Sequence, residues 1–259
     1  MRLPVLVINR DQDTDRLAAF QQSAQRFSVE FERIPALDAH APDFSFADYA
    51  GLIGDHFWGE AVAKPGAIGC FLSHRRAWQH VLDFNLPIAL ICEDDAEFLR
   101  DPTGLSALLG EASEFDVIFA NRRLARWARA VSGEPAEQLS SVVAALAAKG
   151  GPKALGLKPT PGGDCYLVSA RGASRLLALT AEQRITCGVD WAMIIQALPK
   201  ITDEQAVAFL ELAILRRTMS ANAEPLTALV LCDPVADQSG QGGSTIKHAV
   251  KRPISEMRQ

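Results

Sequence analysis

The sequence predicts an α/β protein with a mostly parallel central sheet, and three observations carry that prediction. Short apolar runs alternate with stretches of helical periodicity along the chain. One run, Pro87 to Cys92, is almost wholly apolar, as suits a central strand covered on both faces. It stops at three consecutive carboxylates, Glu93-Asp94-Asp95, and open α/β sheets bind ligands at the carboxyl ends of their strands.

Taken in order, Leu3 to Ile8 is a first buried strand ending in the polar Asn9-Arg10-Asp11. Asp13 or Thr14 caps the next helix, which carries Leu17, Phe20 and Ala24 on one face. Phe27 to Ala36 reads as a second strand and its exit, and Asp38 to Ala63 has no sustained period. Pro65 and Gly66 punctuate that loop, and a helix is predicted over Ile68 to Phe84. The carboxylate-tipped strand follows, then a strand over Asp116 to Ala120 that ends in the basic segment Asn121 to Arg129. From Ser132 to Lys158 the composition turns to Ala, Gly, Ser and Pro, so a flexible insertion is expected at about 132–160. Tyr166 to Ser169 is a short strand. Helices are expected over Gly172 to Leu179, Val189 to Leu198 and Glu204 to Arg217, and Leu229 to Val235 is a last strand. A basic tail, with Lys247, Lys251, Arg252 and Arg258, occupies about 237–259.

With 259 residues, 1–259 is read as one domain whose core needs neither disulfide nor structural metal. Cys70, Cys92, Cys165, Cys187 and Cys232 are scattered without C-x-x-C spacing, as expected of reduced thiols in a core. A net charge of −5 gives no reason to expect a nucleic acid partner. No run approaches the roughly 18 apolar residues of a membrane span, and the start lacks a secretory pattern. The expected location is cytoplasmic, with peripheral membrane contact through the basic residues.

The acidic stretch is the most informative chemistry. Two carboxylates two positions apart in extended backbone share a side, so Glu93 and Asp95 are expected to face one site while Asp94 turns away. Hard oxygen ligands of this kind suit Mn²⁺ or Mg²⁺; the other reading is a solvated acidic turn. Gly66 to Arg76 is a glycine-punctuated entry into a helix and offers Ser73 and His74, but no nucleophile elbow accompanies them. His74 is read either as structural or as catalytic. Arg122, Arg126 and Arg129 share one helix face, either as a phosphate-binding stripe or as a solvated one.

The order of segments resembles glycosyltransferase family 25, the lipooligosaccharide galactosyltransferase family. The family's opening strand with its polar loop and DR is matched by Val7-Ile8-Asn9-Arg10 and Asp15-Arg16. GEIGC-x-LSH with a following Trp is matched by Gly66 to His74 and Trp78. LEDD-x-x-F is matched by Ile91 to Phe98, and YLIS-x-x-GA-x-x-L by Tyr166 to Leu176. Val189-Asp190 matches part of PVD, and Pro234, Gln238 and Ser244 echo a terminal pattern. Ala67 departs from the usual Glu, Arg10 from Leu, and Gly188 from Pro.

The resemblance implies a GT-A-like nucleotide-binding fold. It also implies inverting transfer of a hexose, typically galactose from a UDP-sugar, to a glycan or glycolipid acceptor. It places the metal on Asp95 with Glu93. The nucleotide then falls to Asn9, Arg16 and Ser73, with Glu93 or Asp94 at the ribose or the metal's water shell. Asp190 is the expected general base, with a helix-capping role as the competing reading, and His74 is the second choice. A nucleotidyltransferase and a catalytically silent nucleotide-sugar binder are the rival functions; a nucleotidyltransferase lacks its phosphate loop here.

Overall fold

The computed structural model of the chain describes residues 2–105, 114–217, 224–238 and 252–257. The first half comprises β1 (Val5–Asn9), α1 (Thr14–Gln25), β2 (Glu32–Pro35), β3 (Val62–Ala63), α2 (Pro65–Asp83), β4 (Ile88–Glu93) and β5 (Ala96–Phe98). Then come β6 (Val117–Phe119), α3 (Arg122–Arg129), β7 (Ala136–Gln138), α4 (Leu139–Ala148), β8 (Cys165–Ser169) and α5 (Ala170–Gln183). The remainder is α6 (Val189–Gln196), α7 (Asp203–Ala208), α8 (Leu210–Leu215), β9 (Ala228–Leu231), β10 (Ala236–Gln238), β11 (Arg252–Pro253) and α9 (Ile254–Met257).

Among the described residues, seven strands form the central sheet in the order β2-β1-β4-β8-β6-β9-β7. The fold is α/β, and the sheet is mostly parallel: only β8 and β7 oppose the common direction. Alternation along the strands feeds two cores. Leu6, Ile8 and Ile91 face α2, where Ile68, Phe71, Leu72 and Trp78 are buried. Val5, Val7, Leu90 and Cys92 face the other layer, with Phe20 and Ala24 of α1 and Phe98 of β5. Burial on both faces explains why β4 reads as an unbroken apolar run. Pro65 at the first position of α2 starts that helix, its fixed φ already helical.

The segment at about 132–160 carries regular structure where a flexible insertion is expected. β7 pairs with β9, and α4 buries Leu139, Val142, Val143 and Leu146 in the larger core. Its small residues let α4 pack closely on α7: Gly151, at φ 90°, leaves no room for a Cβ against the Ala208 backbone. The single helix expected over 204–217 is broken at Phe209, whose backbone turns extended. The break lets the buried Phe209 ring reach Trp127 and Trp191, at 5.6 and 6.2 Å between centroids. Most of the basic tail at about 237–259 lies outside the described residues. Of the part that is described, β11 pairs with β3. Among the described residues, no helix is long and apolar enough to cross a membrane.

Candidate active site

The sheet gathers polar side chains at one edge. The carboxyl ends of β1, β4 and β6 deliver Asn9, Glu93 and Asn121. Because β8 runs the other way, its amino end arrives at the same edge and brings Asp164. Glu93 N–H donates to the Asp164 carbonyl at 2.9 Å. A cleft of about 160 Å³ opens there, walled by Arg16, Glu93, Asp95, Arg123, Gly162, Gly163, Gly188, Asp190 and Gln238, among others. Glu93 and Asp95 thus face one space with Asp190, while Asp94 lies outside its walls.

Asp94 is buried and fully engaged. Its carboxylate accepts from Asn9 Nδ2 at 2.8 Å and Arg16 Nε at 2.7 Å, and Arg16 Nη2 also bonds it. Asn9 is buried, 2% exposed. Its amide also donates to the Asp13 carbonyl at 3.0 Å, and its oxygen accepts from Arg33 Nε at 3.0 Å. Asn9 and Asp94, expected at the nucleotide or ribose, here fix the turn after β4, and Asn9 also lines a small pocket with Ser73, His74 and Glu93. Asp13 occupies the N-cap position of α1 without capping it, because its carboxylate holds Arg10.

Asp95 is the unsettled member. Its Oδ2 accepts from Gln238 Nε2 at 2.8 Å and lies 3.3 Å from Arg16 Nη2. Its Oδ1 is buried and meets no donor among the described residues. Burial, with the charge of Glu93 behind it, pushes Asp95 up to about 6, against the pull of Gln238 and Arg16. For Arg16, burial works against the charge, but Asp94 and Asp95 outweigh it and raise the pKa.

Glu93 is held by a buried chain of hydrogen bonds. Trp78 Nε1 donates to Tyr166 Oη at 2.8 Å, and Tyr166 Oη lies 2.8 Å from His74 Nδ1. His74 Nε2 lies 3.3 Å from Glu93 Oε1. One tautomer satisfies every member: the tyrosine hydroxyl donates to Nδ1, and Nε2 carries the proton offered to Glu93. Burial raises the Glu93 pKa, but the His74 hydrogen bond, with the charges of Arg123 and Arg16, brings it below its ordinary value. His74 is completely buried and from there positions Glu93. Ser73, expected at the nucleotide, is likewise internal. It donates to the Gly69 carbonyl at 2.6 Å and accepts from Leu37 N at 2.8 Å, stapling α2 to the chain after β2.

The opposite wall is built on Gly162. Its φ of 80° belongs to glycine, and a Cβ there would fall inside the Arg123 guanidinium. Gly162 O accepts from Asn121 Nδ2 at 3.0 Å, and Gly162 N donates to Asp190 Oδ2 at 3.3 Å. Asp190 Oδ1 accepts from Trp191 N at 2.8 Å, but Gly188, not Asp190, stands at the N-cap of α6. Burial raises the Asp190 pKa despite these two donors. Arg123 pairs with Asp164 at 2.7 Å, while its Nε is buried without a partner among the described residues. Arg123, Asp164, Gly162 and Tyr166 were not expected at the site from the sequence. The Asn121 cap that aims Arg123, accepting from Leu124 N at 2.9 Å, was its one local signal. Arg122 and Arg129 of the basic stripe are exposed and pair with Asp237 and Asp233.

Two donor sets are available to a cation. Cys70, His74 and Glu93 offer atoms within 4.8 Å of one another. Burial pushes the Cys70 thiol well up, away from the thiolate a metal needs, and both His74 nitrogens are engaged. Asp95 Oδ1 with Glu93 fits a hard cation better: the oxygen is buried, unpartnered and in repulsion with its neighbour.

The profile of glycosyltransferase family 25 (LPS biosynthesis protein) matches residues 2–193. The chain belongs to this family. Procollagen galactosyltransferase 1-B of Xenopus laevis is 26% identical over 183 residues, covering 67% of this chain and 28% of that protein. Procollagen galactosyltransferase 1 of Danio rerio is 25% identical over the same shares. A glycosyltransferase 25 family member of Drosophila pseudoobscura pseudoobscura is 27% identical over 132 residues, 46% of this chain and 20% of that one. The chain spans a little over a quarter of the length of the procollagen relatives it matches. A solved structure of the galactosyltransferase LgtC, with donor and acceptor sugar analogs, aligns with 99% of this chain and 95% of its own. The identity is 10% and the TM-score 0.38, so the two agree only loosely. All the wall residues of the cleft except Gln238 fall inside the stretch that the family 25 profile matches.

Proposed function

We propose that this family 25 protein is a metal-dependent, inverting glycosyltransferase of GT-A-like fold. It transfers a hexose, galactose by likeness to its procollagen galactosyltransferase relatives, from a UDP-sugar to a glycan acceptor. A lipopolysaccharide core at the cytoplasmic face of a membrane is the acceptor we favour. The observation that carries the reading is the buried, unpartnered Asp95 Oδ1 beside Glu93. The cleft holds Glu93, Asp95 and Asp190 against Arg16 and Arg123, with Asp94 and Asp164 behind. That excess of carboxylates repels a diphosphate unless a cation joins them. Mn²⁺ or Mg²⁺, when bound, supplies the charge that steadies the departing diphosphate.

The chain's own residues do the rest. Asp190 accepts the proton of the acceptor hydroxyl as that oxygen bonds the anomeric carbon and the bond to the diphosphate breaks. Its two backbone donors fix the carboxylate's direction, and its raised pKa makes it a stronger base than an ordinary aspartate. His74, itself fixed by Tyr166, orients Glu93 and favours its ionised form. Arg16 pulls the Asp95 pKa down against burial, and Arg123 does the same for Asp164 and Asp190. The test is incubation with UDP-galactose and Mn²⁺, with and without excess chelator. UDP release that chelator abolishes is the expected result. Pyrophosphate release from a nucleoside triphosphate would indicate a nucleotidyltransferase, and no release at all a silent sugar-nucleotide binder.

A further inference from the structure

Trp58 adopts a backbone that bulky residues avoid, with φ at 54°. It is enforced from a neighbouring segment. Trp58 N donates to Thr186 O at 2.8 Å, Gly54 N to Ile185 O at 3.0 Å, and Ile185 N to Leu52 O at 2.6 Å. Contact is so close that a Cβ on Gly54 would lie 2.6 Å from Thr186 Cγ2. Residues 52–58 are clamped to residues 185–186, the stretch that runs into Gly188 and α6. Arg184, at the head of that stretch, is also left-handed, at φ 62°. Two such residues on one clamp are unusual, and strain of this kind persists where the surroundings enforce it, often at ligand sites.

The clamp fixes the position of the indole. A Cβ on Gly188 would lie 3.9 Å from Trp58 Cζ2 and 2.9 Å from Asp190 Oδ1. Ring and carboxylate therefore border the same notch, which is open because residue 188 is a glycine. Gly188 and Asp190 belong to the cleft wall; Trp58 lies just beyond that wall, next to Gly188, and is half-buried.

An aromatic surface beside a proton-accepting carboxylate suits a sugar ring. A pyranose lays its C–H face on the ring and directs a rim hydroxyl to the carboxylate. Resting on the reading of Asp190 as the base of a hexosyl transfer, we infer that Trp58 and the Gly188 notch form the acceptor subsite. The acceptor's terminal pyranose stacks on the indole, and its attacking hydroxyl points at Asp190 Oδ1. The family resemblance implies a glycan acceptor without saying where it docks; this geometry assigns its terminal ring to the notch between Trp58 and Asp190.

The experiment is saturation-transfer NMR with methyl β-D-galactopyranoside and methyl β-D-glucopyranoside, in the presence of UDP and Mg²⁺. Transfer to the C–H protons of one ring face is expected for at least one of the two. Affinity should fall about tenfold in Trp58→Gly, as loss of an aromatic contact implies, and stay near wild type in Trp58→Phe. Glycine takes φ 54° freely, so Trp58→Gly removes the ring without straining the backbone, and its melting temperature reports that it is folded. No transfer in the wild type, or equal transfer in Trp58→Gly, overturns the subsite. Failure of the underlying transferase reading shows separately, as an unmutated chain that releases no UDP from UDP-galactose.

Discussion

Gln238 and Asp95 are joined at 2.8 Å, and the bond decides which oxygen of Asp95 is left over. Register pairs Gln238 with Ala96 across β10 and β5, so the amide arrives at Oδ2 from a fixed strand. Oδ1 is then the atom that stays buried without a donor.

Asp95→Asn should therefore stabilise the metal-free protein while abolishing transfer. Asp95 has its folded pKa raised to about 6 from 3.8, so its ionised form destabilises the fold above that value. The penalty is fully present above about 6 and fades as pH falls toward the unfolded value. Melting at pH 8 should favour the variant by about 1–3 kcal/mol, and the gain should shrink between pH 6 and 4. An equal or lower melting temperature at pH 8 counts against the buried, repelled carboxylate described here.

Asp190→Asn separates base from brace. The amide oxygen still accepts from Trp191 N and only the longer bond from Gly162 N is lost, so stability should fall by no more than about 1 kcal/mol. Turnover should fall by about 10² to 10⁴, the usual worth of a general base. A variant that keeps more than about a tenth of wild-type turnover would leave Asp190 with a structural role only.

Tyr166→Phe removes one oxygen and orphans two buried nitrogens, Trp78 Nε1 and His74 Nδ1. A loss of about 1–3 kcal/mol is expected from denaturant unfolding. Turnover should drop as well, because His74 no longer has a fixed tautomer to offer Glu93. Stability unchanged within error would mean that the chain of bonds contributes nothing.

Gly162→Ala should destabilise by about 1–3 kcal/mol, since it demands a left-handed alanine and displaces Arg123. Weaker UDP binding, read by calorimetry, should accompany it if Arg123 contributes to the cleft's charge. A soluble variant with normal melting and normal UDP affinity would contradict the packing of Arg123 on Gly162.

The sequence made β4, α2 and the acidic tip legible because burial on both faces and helical spacing leave local traces. It was silent on direction: Cys165 to Ser169 is apolar whichever way it runs, and only its antiparallel course sets Asp164 beside Glu93. Arg123 and Asp164 are 41 positions apart, and no local pattern pairs them. Asn9 and Ser73 carry the right chemistry for a ligand, but no local pattern signals their internal bonds, Asn9 to Asp94 and Ser73 to the Gly69 carbonyl. In α4, Leu139, Val142, Val143 and Leu146 follow a helical period that the surrounding Ala, Gly and Ser obscured.

The position of β9 has a consequence for work with fragments. It sits between β6 and β7, yet it lies after residue 193, where the family profile ends. A fragment cut at 193 would hold Asp190 but leave β6 with a bare row of N–H and C=O groups, a template for pairing with another molecule. It would lose Gln238 as well. The part of the chain that declares its ancestry is thus smaller than the part that completes its sheet, and aggregation of the shorter piece would say nothing about the chemistry of the whole.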